Sequence, residues 1–318
     1  GGLGAGKGLA YDRRIHNPPS LSPTPMSDNP QAVSTRQFRL PGHDVLALAG
    51  RDAVAFAQAQ FMNDVAALGD GQWHWNGWLT PKGRVIALFA LLRLDAETLW
   101  LVLPDVDATG LATKLQRFVF RSKVKLETRD DLHASGQFAP PAAASGSAAA
   151  AIDGGMELDL GGDGGPRCLR ITTVDAAADE SLAARWRAFD LAHGLPRLSA
   201  DQAEAWTPQQ LSLDLLRAFS VKKGCYPGQE IVARTHFLGQ VKRGLIRLQG
   251  SRVDQLGDVM PGAHVSAGDD ASPRAIGKLI CAEGDEGLAV MSIDAGDGPF
   301  SIDNQVCVRL PLLDGLAH

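Results

Sequence analysis

Residues 73–94 read WHWNGWLTPKGRVIALFALLRL, and they leave the chain little choice of fold. Apolar and polar residues alternate, Pro81-Lys82-Gly83 makes a turn, and an apolar run follows. This is the pattern of a hairpin with one edge-like and one buried strand. TLWLVLP at 98–104 adds a further strand. A helix is expected from near Asp107, with Leu111, Leu115 and Phe118 facing inward, and KVKLETRD at 123–130 closes as a strand. Strands, then a helix, then a strand indicate an α+β fold built on an antiparallel sheet.

Upstream, QFRLPGHDVLALAG at 37–50 gives a strand, a turn at Pro41-Gly42 and a second strand. Arg51 to Leu68 reads as a helix, because Val54, Ala57, Phe61, Val65 and Leu68 recur at helical spacing. On that helix Gln60, Asn63 and Asp64 would share one face. Such a cluster is either a solvated face or one wall of a polar cleft. Trp73 and Trp75 face the same way at period two, and Trp78 faces the other way. Core packing is their default role, and a stacking wall for a flat ring is the sharper alternative.

Five segments follow from these patterns. Residues 1–34, rich in Gly, Pro, Ser and Asn, are expected to be a disordered leader or vector remnant, with Met26 as a candidate start. Gly1 to Lys7 fits G-x-x-x-x-G-K, but Gly8 stands where a P-loop needs Ser or Thr, so that motif is rejected. An N-terminal α+β domain spans 35–135. Residues 136–166 read as a low-complexity Ala/Gly insertion, with a strand hidden at Met156–Leu160. A central α+β domain at 167–239 carries the strand CLRITTV, a helix over Glu180–Leu191 and another over Trp206–Phe219. The last has a capping box of Thr207 and Gln210, with Pro208 at the first helical position and Leu211, Leu215 and Ala218 as its apolar stripe. At 240–318, short strands at regular spacing indicate a small antiparallel barrel.

Charge and cysteine usage exclude several classes. The net charge of −5 argues against direct nucleic-acid binding. The longest apolar stretch, VIALFALL at 85–92, is too short to span a bilayer. Cys168, Cys225, Cys281 and Cys307 form no CxxC and no zinc spacing, so no metal ligands are assigned. A reducing compartment is the default, and a cytoplasmic location is expected.

The most informative stretch is Lys222–Arg243, KKGCYPGQEIVARTHFLGQVKR. Its glycines permit tight turns and close backbone approach around Cys225. Gln229 to Arg234 can open a helix, with Glu230 and Arg234 paired at i, i+4. Lys222, Lys223 and a nearby helix start would favour a thiolate at Cys225. A small buried cysteine is the alternative. His236 is the nearest histidine, and no Cys/His triad is supported.

KGCYPGQEIVAR, with VKRGLIRL after it, resembles the signature of the YgfZ family, relatives of the glycine cleavage T-protein, an aminomethyltransferase. WTPQQLSLD, QAQFMNDVAAL, WLTPKGRVIA and FVFRSKVKLE resemble further family segments in the right order. Ala59 and Met62 depart from the usual glycine and small polar residue of that pattern. The resemblance implies a three-domain T-protein-like fold around a central cleft, with a small C-terminal antiparallel β-barrel. It implies a tetrahydrofolate-type ligand, near Gln60, Asn63, Asp64, Asp214, Tyr226, Gln229 and Glu230. It implies that Cys225 is the reactive or cluster-related thiol, with Lys223 and Arg234 beside it in the motif. A transient iron–sulfur cluster through Cys225 stays open.

The implied function is support of iron–sulfur enzyme assembly or repair, including enzymes that modify tRNA. Partners would be iron–sulfur client enzymes or assembly proteins, with no membrane. Two other readings compete: a folate-dependent one-carbon or aminomethyl transferase, and an RNA-binding scaffold without ligand chemistry. Whether the chain is itself an enzyme is left open by the sequence.

Overall fold

A computed structural model describes residues 34–239, 241–251, 255–267 and 274–317. The expected leader lies outside the described residues, apart from Ser34, which opens the first strand. β1 (Ser34–Arg39) and β2 (His43–Ala49) flank the Pro41-Gly42 turn but enter different sheets. α1 (Ala53–Gln60) follows, then the hairpin β3 (Gln72–Leu79) and β4 (Val85–Arg93), and β5 (Thr98–Pro104). α2 (Ala108–Gln116) begins at Asp107, whose carboxylate accepts from the amides of Thr109 and Gly110. β6 (Lys125–Thr128) completes an antiparallel sheet of order β3-β4-β5-β2-β6.

Strand alternation divides this sheet into two faces. Leu46, Leu48, Trp78, Phe89 and Leu101 meet Phe56, Phe61, Leu111 and Leu115 from the α1 and α2 side. Trp73, Trp75, Ala90 and Val102 line the opposite face and join a larger core. All three tryptophans of the hairpin are buried and pack in the core, and Trp75 also borders the small cavity described below. Phe118 departs from expectation: α2 ends at Gln116, so Val119 takes the inward position and Phe118 is 48% exposed.

The second sheet has the order β1-β7-β10-β9-β8, with β7 (His133–Phe138), β8 (Ala150–Ile152), β9 (Gly155–Asp159) and β10 (Cys168–Thr172). The Ala/Gly-rich stretch 136–166 is therefore ordered, contributing the end of β7, β8 and β9 to this sheet, with β9 close to the strand expected at Met156–Leu160. Carboxylates organise its loops alongside buried Leu158 and Leu160. Glu157 accepts from the amides of Ala143 and Ala144 at 2.6 and 3.1 Å, and Asp159 accepts from Gly146 and Gly161. α3 (Glu180–Ala192) packs on this sheet. At Gly136 a Cβ would stand 2.8 Å from the Trp186 ring, so only glycine lets the indole lie against β7.

The helix expected over Trp206–Phe219 does not form. Its capping box does: Gln210 Oε1 accepts from the Thr207 amide at 3.1 Å and Thr207 Oγ1 from the Gln210 amide at 3.3 Å. Consecutive turns follow, with Ser212 and Arg217 at φ 48° and 49°. These left-handed residues interrupt any helical ladder. They bury Leu211, Leu213, Leu216 and Ala218 and leave Leu215 46% exposed.

α4 (Gln229–Leu238) starts after Gly228 at φ 79°. β11 (Arg243–Gly250), β12 (His264–Ala267), β13 (Arg274–Glu283), β14 (Glu286–Ser292), β15 (Phe300–Ile302) and β16 (Gln305–Leu310) close a barrel. Among the described residues no helix is long and apolar enough to cross a membrane.

Candidate functional site

Cys225 is exposed, while Cys168, Cys281 and Cys307 are buried. Burial pushes the Cys168 and Cys281 thiols up to about 12. Two neighbours account for the display of Cys225. Lys223 is only 6% exposed and donates from Nζ to the carbonyls of Gln58 and Phe61, each at 2.5 Å, and of Asn63 at 3.1 Å. These oxygens lie at and beyond the end of α1, where helical partners run out. Tyr226 is equally buried, donates to the Ser220 carbonyl at 3.2 Å, and sets its ring 4.9 Å from the Lys223 ammonium. Two pinned side chains thus hold Gly224 and Cys225 out in solvent between them. The expectation that Lys223 serves the Cys225 thiolate is corrected, because its ammonium is engaged by the α1 carbonyls. Burial lowers Lys223 to about 8, against the pull of Asp64, and raises the Tyr226 phenol to about 12.

Separate sequence motifs converge here. The turn Thr80–Gly83 lies against the start of α4, where a Cβ on Gly228 would stand 2.7 Å from the Thr80 carbonyl oxygen. Arg84 donates to the Ala205 carbonyl at 2.9 Å and to Gln210 Oε1 at 3.2 Å. Gln209 donates to the Val232 carbonyl at 2.9 Å. The hairpin turn, the Thr-Pro-Gln-Gln turn and the cysteine segment are therefore one bonded joint.

The polar cluster at 60–64 is not a helical face. α1 ends at Gln60, and Phe61 is extended at φ −97° and ψ 157°, bridging to Trp78. Asn63 donates to the carbonyls of Trp75 and Arg217 at 2.9 and 2.7 Å and accepts from the Asp64 amide. Its carboxamide is a fastener between β3 and the turn run. Asp64 is half-buried and accepts from Gln58 at 2.9 Å. Gln60 keeps a buried Oε1 without a hydrogen-bond partner. His74, buried beside Asn76 at 3.0 Å, is lowered to about 4 by burial, with Asp64 opposing and Lys223 assisting.

Gln229 donates to the Lys223 carbonyl at 3.1 Å. Asn63, Asp64, Lys223, Tyr226 and Gln229 thus gather at the joint, with Cys225 on its rim. Asp214, Glu230 and Arg234 are exposed. Among the described residues no ion pair joins Glu230 to Arg234, so the expected i, i+4 pair is absent. No group of three His, Cys, Asp or Glu among the described residues could hold a metal ion.

A second candidate site lies between the sheets. A cavity of about 20 Å³ is lined by His43, Trp75, Ala90, Val102, Trp186 and Asp190, among others. Beneath it, fully buried Arg167 donates to Asp190 at 2.6 Å, with its guanidinium 4.0 Å from the Trp186 ring and 4.1 Å from the Phe189 ring. Arg197 bonds the other Asp190 oxygen at 3.1 Å and forks onto Asp105, which holds its guanidinium charged. Arg167 Nη2 has no hydrogen-bond partner. His43 also lines an outer cleft of about 510 Å³ with Arg39, Asp44, Arg129, His133 and Asp175. Sequence reasoning missed this site. Its one local signal is Trp186 and Asp190 at i, i+4 on α3.

No family model matches the chain. The tRNA-modifying protein YgfZ of Klebsiella pneumoniae (strain 342) is 30% identical over 233 residues, covering 66% of this chain and 71% of that protein. The chain belongs to the YgfZ family. An iron–sulfur cluster assembly factor IBA57 homolog, mitochondrial, of Mycosarcoma maydis is 29% identical over 231 residues, 66% of this chain and 56% of its own length. Among solved structures, aminomethyltransferase T of the glycine cleavage system from Bartonella henselae superposes with a TM-score of 0.67. That match covers 89% of this chain and 86% of the other at 15% identity, and establishes a shared fold. The segment around Cys225 forms the rim of the joint described above.

Proposed function

We propose that this YgfZ-family chain is a folate-binding accessory protein for iron–sulfur enzymes, including those that modify tRNA, with Cys225 as its working thiol. The observation that carries this reading is the exposure of Cys225 between buried Lys223 and Tyr226. A thiol held in solvent by anchored neighbours is available to a partner, a soft metal or an electrophile. The names of the relatives, a tRNA-modifying protein and an iron–sulfur cluster assembly factor, support the same reading.

The central cavity suits the folate ring better than the joint does. Asn63 and Lys223 have their polar groups engaged, and Asp190 is likewise held by Arg167 and Arg197, so what the cavity offers a ring is the faces of two indoles and a neutral imidazole. Burial and Arg197 lower His43 to about 4, which keeps it uncharged. At about 20 Å³ the cavity holds roughly one water. A pterin is several times larger than this void, so binding it requires the walls formed by Trp75, Trp186 and His43 to part, His43 being the one that also lines the outer cleft.

Two measurements test the proposal. Calorimetric titration with tetrahydrofolate and folinic acid should show binding, weakened in His43→Ala. Complementation of a strain lacking its own YgfZ-family protein should restore iron–sulfur client activity with the wild type and fail with Cys225→Ser. Full rescue by Cys225→Ser would remove the thiol from the function, and absence of folate binding would remove the ligand.

A further inference from the structure

The exit from α2 presents a surface that neither site uses. Leu111, Leu115 and Val119 are committed to the core, and beyond Gln116 the chain turns two rings outward. Phe118 is 48% exposed and rests edge-on against Trp78 at 5.8 Å, while Phe120 is 87% exposed. Phe120 also has φ 29°, a backbone conformation that a bulky L residue rarely adopts. No core contact compensates that strain, since the ring stands in solvent. The Arg121 guanidinium lies 5.2 Å from the ring centre.

Positive charge concentrates along the same stretch of chain. Residues 108–126 hold Lys114, Arg117, Arg121, Lys123 and Lys125 and no Asp or Glu. Lys125 pairs with Glu127 at 3.1 Å. Lys114, Arg117, Arg121 and Lys123 are exposed and make no ion pair among the described residues. A net charge of −5 is a sum over the whole chain, and it does not report such segregation.

We propose that this surface binds single-stranded nucleic acid, with phosphates against Arg117, Arg121 and Lys123 and a base stacked on Phe120. Unpaired cations supply the sequence-independent attraction to phosphate. An exposed aromatic ring beside an arginine is what an unstacked base requires. An anionic membrane is the weaker fit, because the apolar stripe of α2 is already buried on the sheet and cannot enter lipid. The inference stands apart from the folate and thiol reading.

Fluorescence anisotropy on the full chain tests it, with labelled single-stranded RNA and DNA of one sequence across a salt series. Binding to at least one strand type should weaken with salt, at a log–log slope of about −0.7 for each phosphate neutralised. Phe120→Ala should weaken it about ten-fold, the scale of one lost base stack. The double variant Arg117→Gln with Arg121→Gln should flatten the slope by about 1.4. Thermal melts matching wild type would show that both variants fold. No binding at low salt would overturn the proposal, as would unchanged binding by Phe120→Ala. Equal displacement by polyglutamate, or tighter Phe120-dependent binding to phosphatidylserine vesicles, would also overturn it by assigning the face to an acidic protein or a membrane.

Discussion

Gly228 and Gly83 meet backbone to backbone: a Cβ placed on Gly228 would stand 2.7 Å from the Cα of Gly83. Gly228 also has φ 79°, so a side chain there is both strained and obstructed. Gly228→Ala should destabilise the protein by about 2–4 kcal/mol, combining backbone strain with overpacking. Gly224, with nothing within 4 Å of its Cβ position, is the internal control. Urea denaturation of both alanine variants should show a large loss for one and little change for the other.

Lys223→Met keeps the length of the side chain and removes the donor to three carbonyls. Orphaning buried acceptors should cost at least about 2 kcal/mol. The same change should release the 223–226 arch, so that hydrogen exchange rises at Gly224 and Cys225 specifically. A stability loss without faster exchange there would separate Lys223 from the display of the thiol.

Thiol accessibility should be all or none. In the folded protein an alkylating reagent should label Cys225 rapidly, with peptide mass mapping finding Cys168, Cys281 and Cys307 unmodified. Cys225→Ser should leave the urea midpoint unchanged, since the side chain is exposed and contributes no packing.

Acid should weaken the fold through His74. Its pKa in the folded state, about 4, lies below the ordinary 6.5, so between those values the unfolded chain takes up a proton that the folded chain refuses. Stability from this group is complete above pH 6.5 and is lost as the pH falls toward 4, by up to about 3 kcal/mol. His74→Gln should reduce the dependence of the denaturation midpoint on pH across that window, with His43, also lowered to about 4, supplying the remainder. An identical slope in the variant would assign acid sensitivity elsewhere.

Local signals in the sequence were legible where they were sufficient. Asp107 and Gly228 mark the starts of α2 and α4, and the alternation of β3 told the two faces of the hairpin apart. Thr207 and Gln210 formed their capping box, yet a box fixes only one turn. Tertiary bonds from Arg84 to Gln210 and from Gln209 to Val232 decided the rest. Residues 61–64 kept helical spacing in sequence, but Phe61 left the helix to bridge Trp78. The central site escaped notice because Arg167, Asp190, Arg197 and Asp105 bond across wide gaps in the chain. The cysteine motif was legible as a motif, whereas the task of Lys223 within it depended on α1, some 160 residues away.

α3 is tied in three directions at once. Trp186 lies on Gly136 of one sheet, Asp190 reaches Asp105 beyond β5 of the other through Arg197, and Arg187 bonds Glu283 of the barrel at 2.5 Å. Leu245, Ile280, Leu288 and Val290 of the barrel share one continuous core with Trp75, Leu169 and Trp186. Cooperativity is the consequence: no sheet can lose its order without exposing apolar surface on its neighbours. Calorimetry should find a single transition for residues 33–318, with van't Hoff and calorimetric enthalpies in agreement. A chain cut before β11 would melt without a sharp transition, although both sheets were present in it.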